Sequence, residues 1–227
     1  MFPGPLGYSL SGKALQKGLW SYNLVNIRNF GHSRHKKVDD SAAGGGAGMV
    51  MRADVLGDAL DFALQEHGPC QQIFYMSPKG LVLKQELAKE IINTKTNIII
   101  ICGRFEGIDQ RLITYYNIQE ISIGDFILFG GELAALVFVE TCVRLLDGVV
   151  ATKESLEQDS FSMLGSMQGL LEYPVYTKPA VWRNLSVPDV LLSGHHKKIT
   201  QWKARQAEEI TKNRRPDLWE IYNNKKN

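Results

Sequence analysis

Between Gln72 and Gly148 the chain alternates short β-branched runs with helical patterns, and this alternation restricts it to a parallel sheet covered by helices. Residues 72–76 (QIFYM) read as a strand, 84–93 as a helix with Leu87, Ile91 and Ile92 inward, and 97–102 (NIIIIC) as a fully buried strand. Residues 120–123 make another short strand. After Gly130-Gly131, a helix over 132–146 carries Leu133, Leu136, Val137, Glu140, Val143 and Arg144 at helical spacing, and Gly148 ends it. The strands lead into three glycine-containing loops, 77–80, 103–109 and 122–131. Ligands of open α/β sheets bind just outside the carboxyl ends of the strands, so these loops are the expected pocket.

Beyond Gly148 the pattern breaks down. Residues 151–169 are polar, weakly periodic and flanked by glycines, and read as a flexible interdomain linker between a domain over 1–150 and a small one over 170–227. In the latter, an aromatic and proline-bearing stretch leads into a helix from about Gly194. Its Ile199, Trp202, Gln206 and Ile210 form one face, with Lys198, Lys203, Arg205 and Lys212 elsewhere on its surface.

With 227 residues, 44% of them hydrophobic, the chain can build one good-sized core or one core plus a small appended domain. No run approaches the roughly 18 apolar residues of a membrane helix, and Met1-Phe2-Pro3-Gly4-Pro5 lacks a signal-peptide layout, so a cytoplasmic protein is expected. Cys70, Cys102 and Cys142 are odd in number and far apart, fitting reduced thiols better than disulfides or a zinc site. Charge is asymmetric: residues 1–159 hold 15 Lys/Arg against 18 Asp/Glu, and 160–227 hold 11 against 6. A basic C-terminal third suits an acidic partner such as nucleic acid, though a solvated charged face reads the same way.

Familiar phosphate and metal motifs are missing. There is no GxxxxGK[ST] and no GxGxxG after a strand. The run Gly44-Gly45-Gly46-Ala47-Gly48 follows no strand and lacks a lysine at the right offset, so it reads as a surface loop that orders over a partner. His32, His35, Asp39 and Asp40 are interleaved with Arg34, Lys36 and Lys37, which disfavours a cation and favours an RNA-facing basic loop over 28–37. His195-His196 has no carboxylate or thiol cluster beside it, and a helix start explains it.

Two segments carry more, CGRFEGIDQR at 102–111 and SIGDFILFGGEL at 122–133. They resemble the CGRYEGIDER and SIGDYVLSGGELPA segments of the bacterial tRNA (guanine-N1)-methyltransferases of the SPOUT class. Further matches are Arg34-His35 with Val38-Asp39-Asp40 and residues 44–49 to RHRTVDDxxxGGGPGM, residues 75–80 (YMSPKG) to YLSPQG, and 158–161 (QDSF) to EDSF. In the C-terminal part, 173–179 (YPVYTKP) and 188–196 (PDVLLSGHH) are similar to YPxYTRP and PxVLLSGNH. Order and spacing agree from about Gly12 to Arg215.

The resemblance implies an α/β SPOUT-type parallel sheet with a deep trefoil knot plus a small helical C-terminal domain. It implies methylation of N1 of guanosine 37 of tRNA, next to the anticodon, with S-adenosylmethionine as donor. The donor is expected at Tyr75, Met76, Ser77, Pro78, Gly103, Phe105, Glu106, Ile123, Gly124, Asp125, Phe126, Ile127, Leu128, Gly130 and Gly131. Glycines there permit close backbone approach, so adenine and ribose can be read by main-chain groups; tight turns alone would also account for them. Guanine N1 carries a proton, so its methylation needs a base and a positive group at O6. Asp159 and Arg144 match the family positions with those roles. Taken alone, Arg144 is a cation at a helix C-terminus four residues after Glu140, and Asp159 a solvated linker acid. Members are homodimers in which the donor loops of one subunit meet the linker and small domain of the other. They are associated with magnesium, but no carboxylate cluster here declares a metal site. Another SPOUT RNA methyltransferase and a non-catalytic RNA-binding relative are the alternatives.

The chain departs from the family in places. Members begin with an apolar strand, WIGIISLFP-like, where this chain opens at Met1-Phe2-Pro3, so either this start is internal to a longer natural protein or one edge of the sheet is differently made. Ala42, Ala43 and Ala47 replace Pro, Tyr and Pro, while Phe105, Phe129 and Ala134 replace Tyr, Ser and Pro. Little helical tail is expected after Arg214-Arg215-Pro216.

Overall fold

The computed structural model describes residues 1–68, 70–151, 159–163 and 167–226. The chain divides into two units, Met1–Val149 and Val150–Asn227.

The first unit is built on three parallel strands, β3 (Cys70–Val82), β4 (Asn97–Ile101) and β5 (Gln119–Ser122), in the order β4-β3-β5. Successive side chains of a strand point to opposite faces, and in β3 both sets are apolar. Ile73 and Tyr75 enter a core with Leu56 and Leu60 of α2 (Ala53–Glu66) and Leu112 of α4 (Gln110–Tyr115). Phe74 and Met76 enter a second core with Ala88 and Ile91 of α3 (Gln85–Asn93) and Ala135, Phe138 and Cys142 of α5 (Glu132–Arg144). Helix α1 (Ser9–Gln16) and a short hairpin of β1 (Asp39–Ser41) and β2 (Met49–Met51) complete the unit.

Three sequence expectations need correction. The 97–102 run is not fully buried: Asn97 is exposed, Ile98–Ile100 are half-buried, and only Ile101 is buried. The cause is topological. Strand β4 has a single neighbour, and among the described residues no strand pairs with its outer edge. That edge borders an apolar cavity of about 1310 Å³ walled by Leu19–Ile27 and by Val139, Cys142 and Val143 of α5. Second, residues 77–80 lie within β3 as a bulge rather than beyond its end, because Met76 and Leu81 both pair with Ile121 and the four residues between them loop out. Gly80 permits the return, since a Cβ there would collide with the Glu120–Ile121 backbone. Third, α5 stops at Arg144 with Leu145 as its cap, before Gly148 is reached.

The second unit packs Met163, Leu170, Tyr173, Ala207 and Tyr222 into a small core. Its helices are α6 (Asp189–Leu192), α7 (His196–Arg214) and α8 (Pro216–Lys226), and its strands β6 (Val181–Trp182) and β7 (Leu185–Ser186) form a hairpin. The helical tail is therefore longer than expected. Helix α7 ends where Pro216 keeps Arg215 out of the helical region, and α8 starts at once, with Asp217 in its first turn held by Arg215 at 2.8 and 2.6 Å. The deep face of α7 is Ala207 and Thr211, one position round from the expected stripe. Thr211 is tolerated there because its hydroxyl donates to the Ala207 carbonyl at 2.7 Å and accepts from the Leu171 amide at 2.8 Å. Lys203, expected on the exterior, is half-buried, with its ammonium on the Tyr173 hydroxyl at 2.9 Å and 4.5 Å from that ring's centre.

Phe138 is fully buried and tilts against Phe74 at 5.2 Å between ring centres. Phe138→Ala is expected to lower unfolding stability by about 3–5 kcal/mol, the cost of an aromatic cavity in a packed core, measured by urea denaturation of the first unit's transition.

Candidate active site

At the carboxyl ends of the three parallel strands lies a cavity of about 360 Å³, lined by residues 75–79 of the bulge, 103–108 after β4 and 120–131 around the end of β5. The larger cavity along β4 is mainly apolar in its walls, with Arg28, His67, Lys95, Arg104 and Glu132 among them, and borders the open sheet edge. The smaller one gathers backbone polar groups, glycines and charged side chains at the strand ends, where ligands of open α/β sheets bind.

The 103–108 loop is folded tightly. Gly107 donates to the Arg104 carbonyl at 3.2 Å, with Phe105 and Gly107 both at positive φ, +60° and +123°. An aromatic residue in the left-handed region is uncommon and marks local strain, and Phe105 is exposed at the pocket wall. Strand β2 braces the loop from behind: the Met51 amide donates to Gly107 at 2.9 Å, Glu106 donates to Met49 at 2.9 Å, and Asp109 donates to Met51 at 3.2 Å. The glycine-rich run reaches the same place, since a Cβ on Gly48 would lie 2.7 Å from a Glu106 carboxylate oxygen. Gly103 lies flat against the Tyr75 ring, where a Cβ would approach within 2.6 Å.

The 122–131 loop opens with Gly124 at φ +142°, whose amide donates to the Ser122 hydroxyl at 3.1 Å. Phe126, Ile127, Leu128 and Phe129 then stand exposed, Phe129 at 99%. The two loops are tied together where they meet. Gly131 donates to the Gly103 carbonyl at 2.9 Å, and Arg104 bridges to Gly130. Over that junction the Arg104 guanidinium places Nε and Nη2 at 2.9 and 2.8 Å from Glu132 Oε1. Gly130 runs directly beneath the pair, and any Cβ there would meet both side chains.

Burial sets the ionisation of two groups in this region. It raises the Tyr75 hydroxyl above its ordinary value, with Glu120 adding to the effect and a backbone hydrogen bond at Ile108 opposing it. It pushes the Cys102 thiol up to about 12, with help from Glu132 against Arg104. Neither group is a nucleophile at neutral pH.

Of the residues expected to hold the donor, all but Asp125 line this cavity; Asp125 is exposed on the loop's outer side. Arg144 is not beside it. Helix α5 begins beside the pocket, just after Gly131, and carries Arg144 at its opposite end, 12 residues beyond Glu132 or roughly 18 Å at the usual rise. Asp159 belongs to the second unit, half-buried, with its carbonyl accepting from the Ser162 amide at 3.0 Å; Gln158 lies outside the described residues. The basic stretch 28–37 is exposed but partly neutralised, His32 lying 3.2 Å from Asp58 and Lys37 3.1 Å from Asp40. Arg104 and Glu132 had no assigned role from sequence, although both stand inside the two quoted segments with opposite charges. Among the described residues no cluster of three His, Cys, Asp or Glu is placed to hold a metal ion, and no helix is long and apolar enough to cross a membrane.

Residues 1–221 match the family model described as tRNA (Guanine-1)-methyltransferase TrmD. The chain is 51% identical over 223 residues to a tRNA (guanine-N(1)-)-methyltransferase of Ehrlichia canis (strain Jake), covering 98% of this chain and 92% of that protein. Proteins of the same description from Ruegeria sp. (strain TM1040) and Rickettsia rickettsii (strain Sheila Smith) are 49% and 50% identical over 225 and 218 residues, covering 99% and 96% of this chain and 90% and 92% of theirs.

Two outcomes follow from the geometry. With its pKa near 12, Cys102 is thiolate at pH 8 to about one part in ten thousand, so iodoacetamide should leave it unmodified in the folded protein and label it after denaturation, as read by peptide mass spectrometry. Glu132→Gln should leave the fold intact but accelerate hydrogen exchange at the Gly130 and Gly131 amides, because a neutral amide holds Arg104 less strongly than a carboxylate.

Proposed function

The chain belongs to the tRNA (guanine-1)-methyltransferase family, and from that premise we propose that it methylates N1 of the guanine next to the tRNA anticodon, position 37, using S-adenosylmethionine. The family match over residues 1–221 carries the proposal. The cavity supports it: about 360 Å³ is within the range of small-molecule sites, and glycines at 103, 124, 130 and 131 bare the backbone groups that would read adenine and ribose. Threading of the 103–108 and 122–131 loops as a deep trefoil knot belongs to the same proposal.

The donor supplies an electrophilic methyl on a sulfonium sulfur. Guanine N1 is protonated and must lose that proton as it attacks. Asp159, as carboxylate, accepts the proton; the N1 electron pair forms the new C–N bond while the C–S bond breaks and its electrons remain on sulfur. Arg144 stabilises the negative charge that spreads to O6. The basic 28–37 loop and the basic second unit would grip the tRNA through its phosphates.

A homodimer explains why Arg144 stands so far from the pocket of its own chain. Leu133, Val137, Glu140 and Arg144 form an exposed stripe along α5, continuous with Ile127 and Phe129, which are 81% and 99% exposed. Two copies packed antiparallel along α5 would cover this apolar surface and bring Arg144 of the partner subunit to the end where the pocket lies. Such a tRNA-modifying dimer works in the cytoplasm.

Purified protein should transfer label from methyl-tritiated S-adenosylmethionine to a tRNA transcript carrying guanine at position 37. Asp159→Asn is expected to lose at least about a hundredfold in turnover while still binding donor and tRNA, and Arg144→Gln about tenfold or more. Undiminished transfer by the Asn variant, or equal labelling of a transcript with adenine at that position, would sink the mechanism.

A further inference from the structure

The β6–β7 hairpin of the second unit presents its apolar side chains to solvent. Val181, Trp182 and Leu185 are 59%, 57% and 68% exposed, and both strands are only two residues long. Cross-strand pairing sets Trp182 opposite Leu185 and Val181 opposite Ser186, and the Val187 amide extends the ladder to the Ala180 carbonyl at 2.8 Å. Trp182 and Leu185 therefore share one face of the hairpin. The two-residue turn is Arg183-Asn184, both at positive φ, +47° and +64°, as a type I′ turn requires. Glycine would occupy the first of these positions with less strain, so an arginine there keeps a charge at the tip. Its guanidinium lies 4.8 Å from the centre of the Trp182 indole.

Charge selects the partner. Residues 173–187 contain Lys178 and Arg183 and no acidic residue, and His195, His196, Lys197 and Lys198 follow at the start of α7. An exposed indole with an arginine on it, in a basic surround, matches unpaired RNA, whose bases stack on aromatic rings while cations meet the phosphates. A protein partner of an apolar hairpin would not call for the excess of positive charge.

We propose that Trp182 and Arg183 form a stacking site for an unpaired nucleobase of the tRNA substrate, outside the methyl-transfer pocket, with Arg183 also pairing to an adjacent phosphate. The site rests on the reading of the chain as a tRNA methyltransferase and adds to it where the RNA is held by its bases.

The test uses the full chain and an unmodified tRNA transcript with guanine at position 37, with affinity from fluorescence anisotropy over a range of salt. Trp182→Ala should weaken binding about tenfold and Trp182→Phe far less, the range expected for one base–aromatic stack. Arg183→Gln should lower the slope of log affinity against log salt by about one unit. S-adenosylmethionine binding by calorimetry should be unchanged in all three, and a circular dichroism spectrum and melt like the wild type's report that the helical second unit folds. Wild-type tRNA affinity in Trp182→Ala would overturn the inference while leaving the methyltransferase reading intact. So would a change confined to oligomeric state in sedimentation, which would make the hairpin a contact between copies. Failure of the wild-type protein itself to bind or methylate the transcript would remove the reading and this inference together.

Discussion

Burial of β3 on both faces is the constraint from which the rest of the first unit follows. Because consecutive residues 73–76 must all be apolar and all be covered, helices have to lie on both sides, and parallel neighbours follow from the crossovers that put them there. The same strand then supplies the pocket. Its bulge releases Ser77–Lys79 just where the parallel ladder would otherwise continue, so the strand that anchors the two cores also delivers one of the three walls.

The remaining walls depend on backbone packed against backbone. Gly131 on Gly103 and Gly80 on the Glu120–Ile121 peptide leave no room for side chains, so these parts of the cavity are shaped by main chain and can offer amides and carbonyls to a ligand. Arg104 and Glu132 close that junction with a charged clasp. The pair is partly exposed, with side chains 43% and 20% accessible, so its worth lies in fixing the relative position of two loops more than in net stability.

Much of this was legible in the chain, and the misses have physical causes. Apolar alternation located α3, β4, β5 and α5 to within two residues because those segments are held by periodic burial, but it found only the first half of β3, which runs six residues past Met76. It could not distinguish an edge strand from a central one: four isoleucines in a row look fully buried from sequence, yet burial depends on having neighbours on both sides. The second unit was harder. Tyr173 draws Lys203 inward and Thr211 satisfies its own hydroxyl within α7, so a lysine and a threonine occupy places that a hydropathy stripe assigns elsewhere. The pocket residues were visible only as motifs. Their place in the lining comes from loop closure, and Arg144 stands apart from that cavity because its helix carries it to the far end.

The uncovered flank of β4 has a consequence for the life of the chain as a polypeptide among others. Among the described residues no strand pairs with the outer edge of Ile98–Ile101, which borders the larger cavity, and an extended apolar segment meets a template there. The protection on hand is modest: the strand is five residues long, exposed Lys95 stands just before it, and Arg104 follows shortly after. As the sheet stands among the described residues, β4 is therefore the strand at which another extended segment, from this chain or from a second copy, can join it.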